Sequence, residues 1–301
     1  MTHPVVGLVG VGRMGGSMAR ALARADRRLV LHNRTRDKAE DLAAELGEGV
    51  ATVVDSPAAV AGEADVVLTM LADDAAVAGV FTGAKGLLAG ARPGTVFVDL
   101  STVMPSTLQG LEAPIRATGA GVLDAPVSGS TATAESGQLT LMVGGTEADL
   151  ERARPALEPL AKTIVHVGPL GAGAAMKLSV NTVIFGLNQA VAEALVLAER
   201  AGIDRGTAYD VIANSAVGAP FVGYKRAAFL DPEGTPTAFA LDLAAKDLRL
   251  ITSLAETVGA SIPQSAVNLE VIRAASAGGR GGRDFATVAT HLRSLGEGSP
   301  G

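Results

Sequence analysis

The sequence predicts an α/β fold, in which a doubly wound sheet forms the first domain and an all-helical domain follows it. Three observations support this: a glycine turn after the first apolar segment, alternating strand and helix patterns up to about residue 167, and helical patterns alone thereafter. A chain of 301 residues is long enough for about two domains. We therefore expect domains at residues 1–167 and 168–301, the second beginning with a long inter-domain helix.

The first strand leads into a glycine turn and then a helix. Val5–Val9 is apolar and is followed by Gly10, Val11, Gly12, Arg13, Met14 and Gly15. Gly10 permits the tight turn, Gly12 lets a pyrophosphate approach the backbone, and Gly15 lets the helix pack close to the strand. The phosphates would lie against unpaired N–H groups at the helix N-terminus. The pattern therefore predicts a Rossmann-type dinucleotide site at Gly10, Val11, Gly12, Arg13 and Met14.

The second strand, residues 28–32, ends at the position that reads the cofactor ribose. An NAD-preferring fold usually has Asp or Glu there, whereas this chain has Asn33, Arg34 and Thr35. A guanidinium with neutral neighbours suits a 2′-phosphate, so NADP(H) is predicted as the preferred cofactor, with NAD(H) as the second option. Alternatively, Arg34 and Arg36 are only solvated charges at a helix start, where the helix dipole disfavours them.

The rest of the first domain alternates between apolar strands and helices. Strand-like segments lie at 50–53, 64–70, 95–100 and 121–124, and two more, at 138–143 and 163–167, flank a helix at about 147–160. This alternation predicts a parallel sheet covered by helices on both faces, which the last two strands extend.

Beyond residue 168 only helical patterns are evident. They cover about 172–201, 204–215, 237–258, 263–277 and 284–293, with Asp204 and Asp242 as cap or first-turn residues. Residues 278–283 have the composition of a phosphate loop but follow a helix, so a flexible connector is predicted. Residues 296–301 are expected to be frayed.

Composition argues against several function classes. A net charge of −6, 3% aromatic residues and no Trp argue against nucleic-acid binding. The chain has no Cys, which removes disulfides, thiolate zinc sites and cysteine nucleophiles. The four His residues show no ligand spacing, and Asp73 with Asp74 is better explained as a helix start, so no metal is predicted.

The chain is predicted to be cytoplasmic and not bound to a membrane. Its start lacks a cationic segment followed by a long apolar run. The one segment apolar enough for a membrane, Leu178–Ala198, contains Asn181, Asn188, Gln189 and Glu193, which would be costly in lipid. A long helix buried between domains or subunits is predicted instead.

Lys177 and Asn181 are the candidates for chemistry. They lie four residues apart and therefore share one helix face. A lysine in an apolar segment is costly to bury without a task, and its ammonium group could protonate the alkoxide that forms when a hydride reduces a carbonyl. The alternative is a lysine that extends from a helix end into solvent. Spacing alone leaves both interpretations open.

Three other segments follow strands at the edge where open α/β sheets bind ligands. Ser128, Gly129 and Ser130 offer N–H groups and hydroxyls to a carboxylate, or form only a turn. Thr102 is either a ligand contact or part of a helix cap. Met70 and Leu71 would cover the cofactor ring, although core packing explains an apolar pair equally well.

In this order, the motifs resemble those of the β-hydroxyacid dehydrogenase family, which includes 3-hydroxyisobutyrate dehydrogenase, tartronate semialdehyde reductase and glyoxylate/succinic semialdehyde reductase. The resemblance covers about residues 5–290. It rests on Gly10–Gly15, Asn33–Thr35, Asp99–Thr102, Asp124–Gly129, Gly171–Asn181 and Lys246–Leu248.

The resemblance implies roles for several residues. Lys177 would be the catalytic acid/base, and Asn181 would help to hold the substrate. Ser128 and Gly129 would grip the substrate carboxylate, while Thr102 and Lys246 would approach the cofactor. The Asn-Arg-Thr triplet is similar to that of NADP-using members. The helical domain would form a homodimer or homotetramer through its long helix.

The predicted function is an NADP(H)-dependent oxidoreductase that interconverts a short β-hydroxyacid and its aldehydo- or keto-acid. Family members often have a second glycine where this chain has Ser130, whose side chain would narrow the pocket or add a hydrogen bond. Imine reductases are one alternative, but they usually have another residue at the position of Lys177. A non-catalytic dinucleotide-binding scaffold is the other alternative, and such relatives tend to lose the lysine. Lys177 therefore favours carbonyl reduction.

Overall fold

Strands and helices alternate through the first part of the chain in a computed structural model, which describes residues 3–295. The strands are β1 (Val6–Val9), β2 (Leu29–His32), β3 (Ala51–Val53), β4 (Val66–Thr69), β5 (Val96–Asp99), β6 (Gly121–Asp124), β7 (Val127–Ser128), β8 (Leu139–Gly145) and β9 (Ala161–Gly168). The helices are α1 (Arg13–Arg24), α2 (Arg36–Leu46), α3 (Pro57–Glu63), α4 (Asp74–Thr82), α5 (Leu87–Gly90), α6 (Pro105–Ala117), α7 (Thr131–Glu135) and α8 (Glu147–Leu157).

These strands form one sheet in the order β3-β2-β1-β4-β5-β6-β8-β7, with β9 paired to β8. The first six strands are parallel to one another, and β1 pairs with both β2 and β4. The order 3-2-1-4-5-6 is that of the Rossmann fold, whose ligand crevice lies where the order reverses, beside β1. The doubly wound sheet is therefore confirmed.

β8 departs from the parallel pattern. It runs antiparallel to β6 and β7, and only its pairing with β9 is parallel. The stretch between β7 and β8, residues 129–138, is shorter than the dozen or so residues that a parallel crossover needs. The last two predicted strands, β8 and β9, do extend the same sheet. The short connection from β7 reverses the direction of β8.

Two apolar layers cover the sheet, one on each face. Leu8 of β1 packs in a layer with Met18 and Leu22 of α1, whereas Val9 belongs to the opposite layer, with Phe81 of α4. Alternate residues of a strand face opposite sides, so β1 is buried on both faces. Helices on both faces hold the carboxyl edge of the strands as a rigid platform for a site.

The second part of the chain is helical, as predicted. Its helices are α9 (Ala172–Arg200), α10 (Arg205–Asn214), α11 (Pro220–Leu230), α12 (Leu241–Val258), α13 (Pro263–Ala275) and α14 (Val288–Leu295). Backbone contacts divide the chain into two compact units, of which one ends at Lys177 and the other begins at Leu178. We retain residue 168 as the proposed start of the second domain, because the last strand, β9, ends there.

The sequence patterns do not predict α11. Its buried residues are Phe221, Val222, Lys225, Ala228 and Phe229, which form one helical stripe. A lysine stands in the middle of that stripe, so the apolar period is interrupted in the sequence although it is continuous in space. The helix can therefore be predicted only once the partner of Lys225 is known.

The glycine-rich segment after α13 is also more regular than predicted. Ser276–Arg280 continues α13 as a π-helical turn, with Gly279 at a φ of 84°. Leu241 and Asp242 at the start of α12 donate backbone hydrogen bonds to the carbonyls of Arg283 and Gly281. The segment is thus a hydrogen-bonded turn rather than the flexible connector that its composition predicts, and the residues predicted to fray, 296–301, lie outside the described range.

The predicted helix starts are confirmed. Asp73 caps α4 and Asp204 caps α10, each accepting a backbone N–H through its side chain. Asp242 lies in the first turn of α12. Because a carboxylate at a helix N-terminus is stabilised by the helix dipole, these residues are explained without a ligand.

α9 is long and apolar enough to cross a membrane by length and composition, with a mean hydropathy of 1.4. Within this helix, Asn181, Asn188 and Gln189 are buried in the chain itself. The absence of a membrane association and the cytoplasmic location stay predictions.

Candidate active site

The glycine turn after β1 has the geometry that its three glycines require. Gly10 has a φ of 97°, and a Cβ placed on Gly15 would lie 2.0 Å from the carbonyl oxygen of Gly10. A Cβ on Gly12, in contrast, would meet no atom within 4 Å. Gly10 and Gly15 therefore serve the close packing of the turn, whereas Gly12 faces open space that a phosphate would fill.

The N-terminus of α1 opens onto that space. Gly12 occupies the cap position, so no side chain caps the helix, and its first turn contains no acidic residue. The first N–H groups of a helix lack partners within the helix, and with the helix dipole they attract an anion. A cavity of about 500 Å³ adjoins the turn, bordered by Gly12, Arg13 and Lys38 among others. The residues present fit a dinucleotide phosphate.

The residues that follow β2 differ in whether their side chains already have partners. Asn33 accepts a hydrogen bond from the N–H of Val11 at 3.2 Å and donates one to the carbonyl of Thr35 at 2.8 Å. Arg36 is paired with Glu40 and Asp55. Arg34 is exposed and has no hydrogen-bond or ion-pair partner among residues 3–295. Arg36 is thus an ion-paired charge at the start of α2, while the Arg34 guanidinium is accessible to a ligand.

Two further strand ends lie at the same carboxyl edge. Met70 and Leu71 follow β4, are half-buried, and pack against opposite apolar layers. The N–H of Leu71 donates to the hydroxyl of Ser101 at 2.9 Å, which fixes the two strand ends to each other. Thr102, also half-buried, follows directly.

A buried carboxylate, noted in the sequence only as part of the motif Asp99–Thr102, supports this edge. Asp99 ends β5 and accepts hydrogen bonds from Thr69 at 2.5 Å and from Ser101 at 2.7 Å. Its second oxygen, Oδ2, is buried and has no partner among the described residues. Burial raises the pKa of Asp99 to about 6. Asp99 therefore joins the ends of β4 and β5 through hydroxyls that the sequence does not mark as its partners.

The segment after β6 combines a short strand, a turn and a cap. Ser128 ends β7 and is half-buried, while Gly129 has a φ of 145°, and a Cβ there would lie 2.4 Å from the Thr133 hydroxyl. The Ser130 hydroxyl caps α7 by accepting the N–H of Thr133 at 3.2 Å. Ser130 thus already has a structural hydrogen bond, whereas Ser128 faces partly outward.

Lys177 lies in the second turn of α9, where it is half-buried, and Asn181 follows one turn later. Asn181 is buried, and its amide donates to Asp247 Oδ2 at 2.9 Å. The ammonium of Lys246 lies 2.7 Å from the other carboxylate oxygen of Asp247. Asp247, which the sequence motif includes but to which we assigned no role, therefore joins Asn181 to Lys246.

The start of α9 is held by Asp124, at the end of β6. Its carboxylate accepts the N–H of Gly171 at 2.8 Å and that of Ala174 at 2.6 Å. These residues are about 50 positions apart in the chain, so no local pattern predicts their contact. Among residues 3–295, no group of three or more His, Asp or Glu residues is arranged to hold a metal.

Comparison with known proteins gives the family. Residues 5–168 match the family described as the NAD binding domain of 6-phosphogluconate dehydrogenase. Residues 171–292 match the one described as NAD-binding of NADP-dependent 3-hydroxyisobutyrate dehydrogenase. Glyoxylate/succinic semialdehyde reductase 2 of Arabidopsis thaliana is 35% identical over 96% of this chain and 79% of the relative. NAD-dependent L-serine dehydrogenase of Pseudomonas aeruginosa is 34% identical over 94% of this chain and 96% of the relative.

Solved structures agree with this assignment. A Mycobacterium tuberculosis 3-hydroxyisobutyrate dehydrogenase, solved with L-serine, has a TM-score of 0.84 and 33% identity, covering 97% of this chain and 100% of that one. An imine reductase from Pseudomonas sp. has a TM-score of 0.65 at 19% identity, covering 97% of this chain and 100% of that one, and shares the fold alone. The chain therefore belongs to the β-hydroxyacid dehydrogenase family of NAD(P)-binding oxidoreductases.

Proposed function

We propose that this protein is an NADP(H)-dependent oxidoreductase that interconverts a short β-hydroxyacid and its aldehydo- or keto-acid, with Lys177 as the acid/base. The main supporting observation is that α9 begins at the same carboxyl edge of the sheet that carries the glycine turn. The turn follows β1 and Asp124 follows β6, three strand spacings away, or about 14 Å. A dinucleotide held at the turn would lie along the edge at which α9, the helix that carries Lys177, begins.

Within this function, each residue has a separate task. When bound, the reduced nicotinamide supplies the hydride that the carbonyl carbon of the substrate accepts. Lys177 holds a proton on Nζ and gives it to the carbonyl oxygen, so that no free alkoxide forms; oxidation of the alcohol returns the proton to Nζ. Thr102 and Lys246 would contact the cofactor, and Met70 with Leu71 would cover its ring.

The substrate would be a small acid. Ser128 and Gly129 would bind its carboxylate through hydroxyl and N–H groups, and Asn181 would orient it from the same helix as Lys177. Support comes from the names of relatives, which act on semialdehydes, 3-hydroxyisobutyrate and L-serine, all short carboxylates. Ser130 would act mainly through the shape of the turn, since its hydroxyl already caps α7.

NADP(H) is the proposed cofactor. The Arg34 guanidinium, which is exposed and has no partner within the described part of the chain, supports this choice, since a 2′-phosphate offers it a charge-assisted hydrogen bond. One matched family is described as NADP-dependent, while one relative is named NAD-dependent, so family membership alone does not decide the preference. Binding of NAD(H) at lower affinity is compatible with the same turn.

A homodimer or homotetramer is proposed through α9. Met176, Val183, Ala190 and Leu197 lie at seven-residue intervals on this helix and are all exposed. An exposed apolar stripe of that period suits packing against a second helix, and Leu197 is 73% exposed in the isolated chain. Sedimentation analysis of Leu197→Glu would show a smaller species than the wild type; an unchanged mass would remove α9 from the interface.

A substrate panel with both cofactors tests the proposed function. Oxidation of NADPH is measured with glyoxylate, succinic semialdehyde and a preformed cyclic imine, and reduction of NADP+ with 3-hydroxyisobutyrate and L-serine. We expect turnover of at least one acid substrate, and a kcat/KM with NADPH above that with NADH. Turnover of the imine alone would show an imine reductase, and tight NADPH binding without turnover of any substrate would indicate a scaffold.

A further inference from the structure

The start of α9 is joined to the sheet by the buried carboxylate of Asp124. Asp124 accepts the N–H of Gly171, which precedes the helix, and that of Ala174 in its first turn. A local capping residue usually satisfies these groups, but the helix begins with Ala172, Gly173 and Ala174, none of which has a side chain able to do so. The cap is therefore supplied by a different element, the strand β6.

This contact is unusually tight because glycines line it on both sides. A Cβ on Gly173 would lie 2.3 Å from the carbonyl oxygen of Met142 and 2.6 Å from that of Asp124. A Cβ on Gly144 would lie 2.3 Å from Asp124 Oδ1. The first turn of α9 thus rests directly on the backbones of β6 and β8, so it cannot shift along the edge without breaking hydrogen bonds or overlapping backbone atoms.

The charge on Asp124 fits the same role. Its side chain is buried, and the helix that it caps has 29 residues, so its carboxylate interacts with the positive end of a long helix dipole. Lys177 lies three residues after Ala174, less than one turn beyond the second anchored N–H. The position of its Cα relative to the sheet edge is therefore tied closely to the two hydrogen bonds of Asp124.

We infer that Asp124 is a positioning residue for the proposed reaction, holding Lys177 at the distance from the carboxyl edge at which its ammonium reaches the substrate carbonyl. This inference rests on the proposed function of Lys177. The inference gives Asp124 no contact with substrate or cofactor, because its two oxygens already accept the N–H groups of Gly171 and Ala174. A misplacement of a catalytic group by about 1 Å can cost on the order of a hundredfold in rate, so a loosened cap has a measurable effect.

A double-mutant cycle between Asp124→Asn and Lys177→Ala tests the inference. Asparagine keeps the size of the side chain but loses the charge, and its NH₂ group faces one of the helix N–H groups. We expect Asp124→Asn to lower kcat by about 10- to 100-fold, with the Kd of NADPH unchanged within about twofold. The primary isotope effect with deuterated NADPH should rise, since hydride transfer becomes more rate-limiting.

In the Lys177→Ala background, measured by single turnovers with excess enzyme, Asp124→Asn should have no further effect on the rate. Equal fold losses in both backgrounds would overturn the inference while leaving the role of Lys177 intact. Full turnover by Lys177→Ala alone would instead contradict the proposed function, so the two failures are distinguishable.

Asp149→Asn is the matched control for a structural carboxylate. Asp149 is also buried, lies in the first turn of α8, and is held by Arg116 and Arg152. The Asp149→Asn variant should be less stable than the wild type, with little change in kcat. If Asp124→Asn does not fold, Asp124→Ser replaces it in the experiment, because serine places no amide donor against the helix. If neither variant folds while Asp149→Asn does, Asp124 is a structural residue and the inference is wrong.

Discussion

The side-chain oxygen of Asn33 accepts a hydrogen bond from the N–H of Val11 at 3.2 Å, which joins the segment after β2 to the glycine turn after β1. The same side chain donates to the carbonyl of Thr35, so Arg34 lies between two held residues. Asn33 therefore holds the two segments together, and the exposed guanidinium of Arg34 is the group of the triplet that we propose for the cofactor.

This arrangement predicts the effect of Arg34→Ser on cofactor choice. Loss of a charge-assisted hydrogen bond is worth about 1.5–3 kcal/mol, so the Kd of NADPH should rise by about 10- to 100-fold while that of NADH changes little. Arg36→Ser is the control, since Arg36 is already paired with Glu40 and Asp55. Fluorescence titration with each cofactor measures the constants. Equal losses for NADPH and NADH would contradict the assignment of Arg34 to the 2′-phosphate.

Alanine substitutions of the glycines in the turn should separate effects on stability from effects on cofactor binding. Gly12→Ala places a methyl group in open space, so the free energy of unfolding should change by less than about 1 kcal/mol, but the Kd of NADPH should rise at least tenfold, because the methyl group occupies the phosphate position. Gly15→Ala should destabilise the fold by about 1–3 kcal/mol or more, since its Cβ overlaps the Gly10 carbonyl.

Gly16→Ala completes the comparison. Its Cβ would meet its nearest atom at 3.6 Å, an ordinary contact, so stability should be kept or improved, and NADPH binding should weaken less than in Gly12→Ala. Urea unfolding and cofactor titration of the three variants give both quantities. NADPH binding by Gly12→Ala as tight as that of the wild type would place the phosphate elsewhere.

Asp99 makes stability depend on pH. Its pKa is raised from about 3.8 to about 6 by burial, so the folded state prefers the protonated carboxyl, and this contribution is lost as the pH rises from about 4 through 6. Two pKa units correspond to about 3 kcal/mol. Asp99→Asn cannot ionise, so its stability relative to the wild type should increase by up to that amount between about pH 4 and pH 7.

Asp149→Asn should show the opposite trend. Although burial opposes it, hydrogen bonds from Arg152, Thr146 and Arg116 hold the pKa of Asp149 below its usual value, so its contribution to stability is present at neutral pH and lost in acid. Urea unfolding of the wild type and Asp99→Asn between about pH 4 and pH 7, and of Asp149→Asn with the series extended below about pH 4, is the measurement. A stability difference for Asp99→Asn that does not vary with pH would contradict the prediction.

The buried ion pair of α11 predicts a large loss of stability. Lys225 lies 2.7 Å from Asp284 and over the ring of Phe285, and burial lowers its pKa. Lys225→Met leaves the Asp284 carboxylate buried without its cation, which costs about 3–5 kcal/mol. Arg226→Met, next in sequence, removes an exposed pair with Asp210 and should cost at most about 1 kcal/mol. Equal losses of unfolding free energy for Lys225→Met and Arg226→Met, measured by urea unfolding, would contradict this prediction.

Local patterns in the sequence are enough to predict the glycine turn, the first six strands and the helix that carries both Lys177 and Asn181, because each depends on neighbours within one element. The patterns fail where a distant partner decides. The sequence does not predict α11, because its buried Lys225 pairs with Asp284, which is 59 residues away. The contacts of Asp99 and Asp124 span about 30 and 50 residues, so their buried charges are visible only in the folded chain.

The central claim is that the ammonium of Lys177 transfers the proton. Lys177→Ala, with the exposed Lys162→Ala as the control, should lose at least about a hundredfold in kcat for the best acid substrate while the Kd of NADPH stays within about twofold. Lys162→Ala should match the wild type in both quantities. Turnover by Lys177→Ala at the wild-type rate, with normal NADPH binding, would contradict the account.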